Sequence, residues 1–304
     1  MLTDKLDAFL EVALAKPDHP GPNTMKVAKL VADPDFKVHP ETSDDNLYVE
    51  TNAKVDISRA REQHHALIET LHACGIPVLS FPALADAPDG VFPNNAFATT
   101  SQRRLIIGAM KHSVRQQETQ REDVRSFFEE SMGYEVVDLS EAALTAELTG
   151  TLVIDHHRYI GFLGMSQRVC DEGAEAMHDA FGLRGTLMFP LASEEYHTNV
   201  VMSVLAGRAC VYHPGSLTSE AVDALDKIYD HAAFRLSDQE KNEFVGNCIA
   251  ATEHDVLMSL RAWSALSAEA RAFFDKQEFR LRPVDVSEFE KAGGSLRCMV
   301  AEVF

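Results

Sequence analysis

The chain has few basic residues for its length. It carries 28 Lys and Arg residues against 47 Asp and Glu, which gives a formal net charge of -19. A surface of this sign repels the phosphate backbones of nucleic acids and the headgroups of anionic lipids. We therefore expect neither a nucleic-acid partner nor a membrane partner.

Cysteine is also scarce and is not arranged in pairs. The five cysteines are odd in number, are scattered and form no CxxC spacing: Cys74, Cys170, Cys210, Cys248 and Cys298. Disulfide frameworks use even numbers of cysteines, and cysteine zinc sites use closely paired ones. The pattern argues against both and predicts a reducing, cytoplasmic location.

Long hydrophobic runs are missing as well. No segment is apolar for long enough to span a bilayer. The first residues, MLTDKLDAFLEVALAK, are amphipathic and lack the basic start and apolar run of a signal peptide. With 45% hydrophobic residues in 304, the chain has ample material for one large core or two small ones.

A unit of one helix followed by one strand recurs along the chain. Apolar residues at three- and four-residue spacing predict helices over residues 57–73, 115–132, 168–181, 218–231 and 263–274. The strands that follow read IPVLSF, YEVVDL, GTLMFP, AAFRLS and EFRLRPV. Gly75, Gly133 and Gly182 stand where the first three helices should end.

Paired strand-like runs lie between these units. NAFATT pairs with RLIIGA, TLVID with YIGFLG, and NVVMSVLA with ACVYHP, each across a polar or turn-forming segment. Five such units in one chain favour a cyclic repeat, with a β face of each unit buried against a common axis and the helices outside. An ordinary layered α/β fold also fits this periodicity.

Four polar segments interrupt the apolar strands. They are PDGVFPNN over residues 88–95, ELTGT from Glu147, YHTN with His197, and GGSLRCM with Cys298. Each alone has a plain structural explanation as a turn, a solvated connection, a structural histidine or an inert buried thiol. Their order is more specific. A carboxylate, then a histidine fifty residues later, then a cysteine after a Gly-Gly loop fits a Cys–His–acid site assembled in space.

These motifs resemble those of the pentein, or guanidino-group-modifying, superfamily. VFPNNAF, ELTGTLVID, YHTNV and GGSLRCM follow the order found in that group, over about residues 26–304, and GGSLRCMVAE is the most specific piece. Within the superfamily the chain looks closest to the citrulline hydrolases. The resemblance implies an α/β fold, the five-bladed α/β propeller of ββαβ-type units. It would form one catalytic domain over residues 1–304, with residues 1–24 as a helical extension.

The resemblance also implies roles for individual residues. Cys298 would be the nucleophile, His197 the general acid and base, and Glu147 the group that orients His197 and binds a substrate nitrogen. The substrate-binding residues implied are Asn94, Asn95, Asn199, Arg115 and Arg168. The two arginines fall where relatives hold the substrate carboxylate, which a guanidinium pairs with in a bidentate manner.

The chain departs from the superfamily at two places. Asn95 and Asn199 stand where arginine deiminases carry aspartates. An amide suits a neutral ureido group better than a guanidinium cation, because a buried cation needs a compensating charge. The segment from Asp33 to Phe36 lacks the Arg-Pro found in relatives, which affects the expected substrate contacts from Asp45 and Asn46.

These features predict a hydrolase for the ureido group of citrulline or a close analogue. The reaction would pass through a covalent Cys298 intermediate and would use no metal or organic cofactor. An arginine deiminase, a dihydrolase or an amidinotransferase is an alternative, and so is a non-catalytic pentein that only binds its ligand. A small amino acid is the expected partner, and a homodimer is the default assembly.

Overall fold

A computed structural model describes residues 1–32, 36–84 and 87–304. The sequence departure at Asp33, Pro34 and Asp35 lies outside the described residues. No helix in the described ranges combines the length and the apolar character needed to cross a bilayer.

The strands are short and are spread over the whole chain. In chain order they are β1 (Leu2–Thr3), β2 (Val27–Ala32), β3 (Val78–Pro82), β4 (Phe97–Thr99), β5 (Arg104–Ile107), β6 (Glu135–Asp138), β7 (Leu152–Asp155), β8 (Ile160–Met165), β9 (Gly185–Pro190), β10 (Met202–Leu205), β11 (Ala209–Tyr212), β12 (Ala233–Arg235), β13 (Ile249–Ala250), β14 (Asp255–Ser259), β15 (Arg280–Val284) and β16 (Ala301–Val303).

The α-helices are also spread over the chain. They are α1 (Leu6–Leu14), α2 (Ile57–Ala73), α3 (Ser113–Thr119), α4 (Glu122–Ser126), α5 (Leu148–Thr151), α6 (Asp171–Ala180), α7 (Thr198–Val201), α8 (Ser219–Tyr229), α9 (Asp238–Asn242), α10 (Leu260–Ala265), α11 (Ala268–Lys276) and α12 (Ser287–Glu290).

The strands form five sheets of one repeated design in the described part of the chain. The sheets are β4-β5-β6, β7-β8-β9, β10-β11-β12, β13-β14-β15 and β16-β2-β3, with β1 added beside β9. In each sheet the second strand lies in the middle. It is antiparallel to the first strand and parallel to the third. This is the ββαβ repeat that the resemblance to the pentein superfamily implies, and β16, the last strand, completes the sheet that contains β2 and β3.

The predicted helices are present with altered bounds. The helix over 57–73 is found as predicted, and its N-cap Asp56 accepts a hydrogen bond from the backbone N–H of Arg59. Residues 115–132 instead form α3, α4 and a π-helical turn over Phe127–Ser131. Residues 263–274 are divided between α10 and α11, because Ser267 caps a new helix by accepting from the N–H of Ala270.

Three glycines end helices as the sequence predicted. Gly75, Gly133 and Gly182 all have positive φ, between 63° and 79°. A residue with a Cβ atom is strained there, so glycine is the natural residue at the position just after a helix.

A short helical turn precedes the first strand of several units. These turns are α5 before β7, α7 before β10, Pro93–Asn95 before β4 and Leu296–Met299 before β16. The sequence pattern assigned residues such as Val200 and Val201 to a strand, but they belong to α7. These turns contact one another. The turn α5 contacts both α7 and Pro93–Asn95, and Pro93–Asn95 also contacts Leu296–Met299. The repeat thus brings four polar segments to one place.

The start of α6 packs closely on the preceding loop. The Cys170 Sγ atom accepts hydrogen bonds from the backbone N–H groups of Thr145 and Gly173, both at 3.3 Å. At Gly173 a Cβ atom would clash with the Thr145 carbonyl oxygen, which is backbone and cannot rotate away.

We therefore expect Gly173→Ala to destabilise the fold by about 1–3 kcal/mol, as overpacking does elsewhere. Chemical denaturation measures the change. Glu175→Ala, at an exposed position of the same helix, is the control and should change stability by less than about 0.5 kcal/mol. Equal stability of the two variants would contradict the close packing of α6 on Thr145.

Candidate active site

A small cavity lies where the helical turns meet. Five of the sequence-predicted site residues line it: Asn95, Arg115, Arg168, His197 and Cys298. Glu147 lies directly behind His197, while Asn94 and Asn199 are outside the lining. The structure therefore gathers residues that are up to about two hundred positions apart in the sequence.

Glu147 and His197 form a buried pair. The His197 Nε2 atom is 2.8 Å from the Glu147 Oε2 atom, and both side chains are at most 2% exposed. Glu147 is the N-cap of α5 and His197 the N-cap of α7, so the contact of these two turns creates the pair. The tilted ring of Tyr196, 4.4 Å away between centroids, covers the imidazole.

The environment fixes the charge of both partners. Burial alone would raise the pKa of Glu147, but Arg168 and His197 together hold that pKa far below its usual range. Burial lowers the pKa of His197, and Glu147 only partly opposes this. An ionised Glu147 accepts the Nε2–H proton of a neutral His197, which leaves Nδ1 as the proton-accepting atom of the ring.

Gly150 allows the imidazole to take this position. A Cβ atom at residue 150 would lie 2.8 Å from both Cε1 and Nε2 of His197. The glycine of the ELTGT segment thus has a specific steric role, since no other residue leaves room for the ring beside α5.

Cys298 is buried in the turn Leu296–Met299 and is held by an amide. The Asn247 Nδ2 atom lies 3.3 Å from Cys298 Sγ, and the same amide accepts from the backbone N–H of Arg297 at 3.0 Å. Burial raises the pKa of the Cys298 thiol, while the hydrogen bond from Asn247 acts in the opposite direction. At rest the sulfur is therefore mainly a thiol, and a base must take its proton.

Arg168 is fully engaged with two carboxylates. Its Nη1 atom is 3.1 Å from Glu147 Oε2, and its Nε and Nη2 atoms bond Asp45 at 2.9 and 2.5 Å. Lys111 also reaches Asp45, with its Nζ atom at 2.6 Å. The guanidinium that the sequence analysis reserved for a substrate carboxylate is thus already paired inside the protein.

Arg115 is similarly engaged with Glu118. Two hydrogen bonds of 2.9 and 2.7 Å join the guanidinium to both carboxylate oxygens, and a third reaches the Phe92 carbonyl at 3.1 Å. Both side chains are at most 5% exposed. A substrate carboxylate would have to share or displace Glu118 in order to bind Arg115.

The Asn95 amide has few hydrogen-bonding positions left. It satisfies its neighbours when its oxygen accepts from Arg115 Nη1 at 2.7 Å and its nitrogen donates to the Phe92 carbonyl and to Asn94 Oδ1. Both amide hydrogens are then used, and one lone pair of the oxygen is left. Asn95 can therefore accept a hydrogen bond from a substrate N–H, but it has no hydrogen left to donate to a substrate oxygen.

Asn94 and Asn199 face other surroundings. Asn94 donates to Thr149 Oγ1 at 3.4 Å, and Thr149 in turn donates to the Asn94 carbonyl at 2.8 Å. Asn199 Oδ1 is 3.9 Å from Cys298 Sγ, but the residue lines a second, polar cavity. Its Nδ2 atom is buried and has no hydrogen-bond partner within the described residues.

The sequence analysis missed two residues beside the chemistry. Asn247 follows Gly246 just before β13, in the same place in its unit as the other polar turns, and this position in the repeat could have identified it. Asp89 lies in the PDGVFPNN segment, is 3% exposed and lines the cavity. In the described ranges, no group of three His, Cys, Asp or Glu side chains could hold a metal ion.

Comparison with known proteins identifies relatives of most of the chain. A model of the family described as N,N dimethylarginine dimethylhydrolase, eukaryotic, matches residues 33–304. The N(G),N(G)-dimethylarginine dimethylaminohydrolase of Pseudomonas aeruginosa is 26% identical over 250 residues, which are 81% of this chain and 89% of that protein. The uncharacterized protein YkgA of Bacillus subtilis is 22% identical over 289 residues, 95% of this chain and 89% of YkgA.

Solved structures share the fold. The substrate-bound N-terminal domain of ArgZ, an arginine dihydrolase from the ornithine-ammonia cycle in cyanobacteria, matches with a TM-score of 0.77 at 21% identity, covering 91% of this chain and 98% of that one. A dimethylarginine dimethylaminohydrolase adduct with S-methyl-L-thiocitrulline matches with a TM-score of 0.69 at 22% identity, covering 91% and 99%. At these identities the likeness shows a mixed α/β fold shared with pentein enzymes.

We expect Gly150→Ala to displace the His197 ring and lower kcat by about 10²-fold, the usual cost of misplacing a catalytic group by about 1 Å. Steady-state kinetics on the substrate identified below measures the loss. Gly75→Ala is the control: its Cβ meets nothing within 4 Å, although φ is 79°. That variant should lose about 1 kcal/mol of stability through backbone strain and keep its activity. Full activity in Gly150→Ala would show that the close approach has no functional role.

The raised pKa of Cys298 predicts slow alkylation by iodoacetamide at neutral pH, with a rate that keeps rising above the range of an ordinary thiol. Asn247→Leu removes a hydrogen bond to the thiolate, so the midpoint should rise by about one unit or more. Peptide mass spectrometry of Cys298 against pH measures this. Asn242→Leu, at an exposed position, should leave the midpoint unchanged. A midpoint at or below that of a free cysteine would contradict the effect of burial.

Proposed function

This chain belongs to the N,N dimethylarginine dimethylhydrolase family, eukaryotic, and we propose that it hydrolyses the ureido group of citrulline or a close analogue through Cys298. Its relatives act on C–N bonds, and it is an enzyme of the same kind, a hydrolase of the pentein superfamily. The observation that carries the proposal is one cavity lined by Cys298, His197 and Asn95, with Glu147 bonded to His197.

In the proposed first step, His197 accepts the proton of the Cys298 thiol and the sulfur adds to the ureido carbon. The C=O electron pair moves to oxygen, which forms a tetrahedral species. When that species collapses, the terminal C–N bond breaks and His197 returns the proton to the departing ammonia. A thiocarbamate ester remains on Cys298, joined to the side-chain nitrogen of the amino acid.

In the second step, His197 takes a proton from water and the hydroxide adds to the same carbon. The C–S bond breaks, the thiol is restored, and an N-carboxylated ornithine leaves. This carbamate loses carbon dioxide, so the products are ornithine, ammonia and carbon dioxide. Glu147 stays ionised throughout and stabilises the imidazolium that forms in each step.

The substrate is proposed from the residues that face its head group. The Asn95 oxygen is a neutral acceptor for a ureido N–H. Unlike an aspartate, it has no negative charge that would favour a cationic head group. Arg115 and Arg168 remain the proposed contacts for the substrate carboxylate, in competition with Glu118, Asp45 and Glu147. We propose that their larger contribution is to position Asn95 and Glu147. Asn94 would help to position Asn95, and Asn199 would help to position Cys298.

A guanidino substrate is the second candidate, and Asp89 favours it. Its carboxylate lines the cavity and could compensate a guanidinium cation. The named relatives include dimethylarginine hydrolases and an arginine dihydrolase. An amidinotransferase would use the same residues with an amine in place of water.

The proposed architecture is a five-bladed propeller. Contacts of β16 with β4, α5 with β4, β7 with β10, β10 with β13, and β14 with the turn Leu296–Met299 link each sheet to the next. These contacts support a ring of sheets around an axis.

The first test is release of ammonia and ornithine from citrulline, arginine and dimethylarginine, each assayed separately. We expect turnover of citrulline by the wild type and by Cys74→Ala, and a loss of at least about 10³-fold in Cys298→Ala, since the covalent route is closed. Turnover of arginine or dimethylarginine in place of citrulline would overturn the ureido assignment in favour of the guanidino candidate. No turnover of any of them would favour a modified substrate or a protein that only binds.

A further inference from the structure

Lys29 is a buried lysine outside the cysteine cavity. It lies in the middle of β2, where it is paired with Ala301 of β16 and Leu79 of β3. The residue is 2% exposed, and its Nζ atom has no hydrogen-bond partner within the described residues. The nearest aromatic ring is Phe97, whose centroid lies 4.5 Å from Nζ. A buried amine without a hydrogen bond is costly to the fold, so its presence calls for an explanation.

The amine lies at a chamber of its own. The chamber is small and is lined by Lys29, Val31, Pro93, Ala96, Glu118 and Arg121, among others. None of the residues that line the cysteine cavity lines this chamber. The two are neighbours all the same, because Glu118 binds Arg115 on the other side and Pro93 and Ala96 flank the two asparagines.

The burial of Lys29 favours its neutral form. Burial lowers the pKa of Lys29 to about 7, and the cation of Arg121 acts in the same direction, while Glu118 and Asp123 oppose it. A large share of the amines is therefore uncharged at neutral pH, and an uncharged, unbonded amine is a nucleophile. The mostly apolar chamber suits a small neutral reactant.

We propose that Lys29 is a carbamylation site, where the amine adds reversibly to carbon dioxide. The nitrogen lone pair forms a bond to the carbon of carbon dioxide, and one C=O electron pair moves to oxygen. One N–H proton passes to water, so the product is a carbamate anion on Lys29. Nothing is oxidised or reduced.

Arg121 is the residue that stabilises the product. Its Nε and Nη2 atoms are held by Asp123 at 3.0 and 2.5 Å, and its guanidinium lies over the ring of Phe81, as does the Lys29 amine. A carbamate formed there gains a nearby positive charge at low local dielectric. Its own charge lies close to Glu118, the carboxylate that holds Arg115 at the cysteine cavity.

The test is to equilibrate the intact protein with isotopically labelled bicarbonate at neutral pH and record the carbon NMR spectrum. A triethyloxonium salt then traps any carbamate as its ethyl ester for peptide mapping. We expect a carbamate resonance and an ethyl ester on the Lys29 peptide of the wild type. Lys26→Met, which removes an exposed lysine nearby, should keep both signals, and Lys29→Met should lose both. Arg121→Gln keeps the amine and should reduce the trapped fraction severalfold.

Each other outcome counts against the proposal. No carbamate resonance, trapping only at other amines, or bicarbonate that binds without being trapped would overturn it. Peptide mapping of the wild type decides the matter even if Lys29→Met does not fold. The carbon dioxide in this test comes from the buffer, so carbamylation of Lys29 does not depend on the hydrolysis of citrulline. Each of the two proposals can fail without affecting the other.

Discussion

The buried carboxylate of Glu147 is the group on which the site depends. It binds His197, Arg168 and the backbone N–H of Lys111, so one side chain joins three units of the repeat. An ion without solvent is tolerated only when its partners compensate it nearly completely. That requirement fixes where α5, α7 and the loop between β8 and α6 lie relative to each other. Burial, which Glu147 opposes only in part, keeps His197 neutral, so its free nitrogen is available as a base.

The same requirement explains why the cavity has few free charges. Arg168 and Arg115 look available in the sequence, yet each is paired with acids of the protein, Asp45 and Glu147 in one case and Glu118 in the other. A cavity lined by compensated pairs suits a substrate that is itself close to neutral. The Asp89 carboxylate also lines the cavity and interacts with the Arg115 cation, so it belongs to the same network of buried charges.

The repeat extends this polar arrangement beyond the catalytic residues. Each unit places a turn just before its first strand, and these turns carry Asn95, Glu147, His197, Asn247 and Cys298. The chamber at Lys29 lies directly behind the first of these turns. A change of charge at Lys29 would therefore be felt first by Glu118 and then by Arg115, without any movement of the strands.

The sequence by itself determined the recurring unit of one helix and one strand, the helix at 57–73, the glycine stops and the order of Glu147, His197 and Cys298. Periodicity and turn chemistry are local, so they can be read along the chain. Tertiary structure decided the rest. Asn247 contacts the Cys298 sulfur only because a turn distant in sequence packs there. Both amide hydrogens of Asn95 are donated to neighbours that sequence order does not reveal. A buried polar group needs a hydrogen-bond partner, and that partner often comes from a segment that is distant in the sequence.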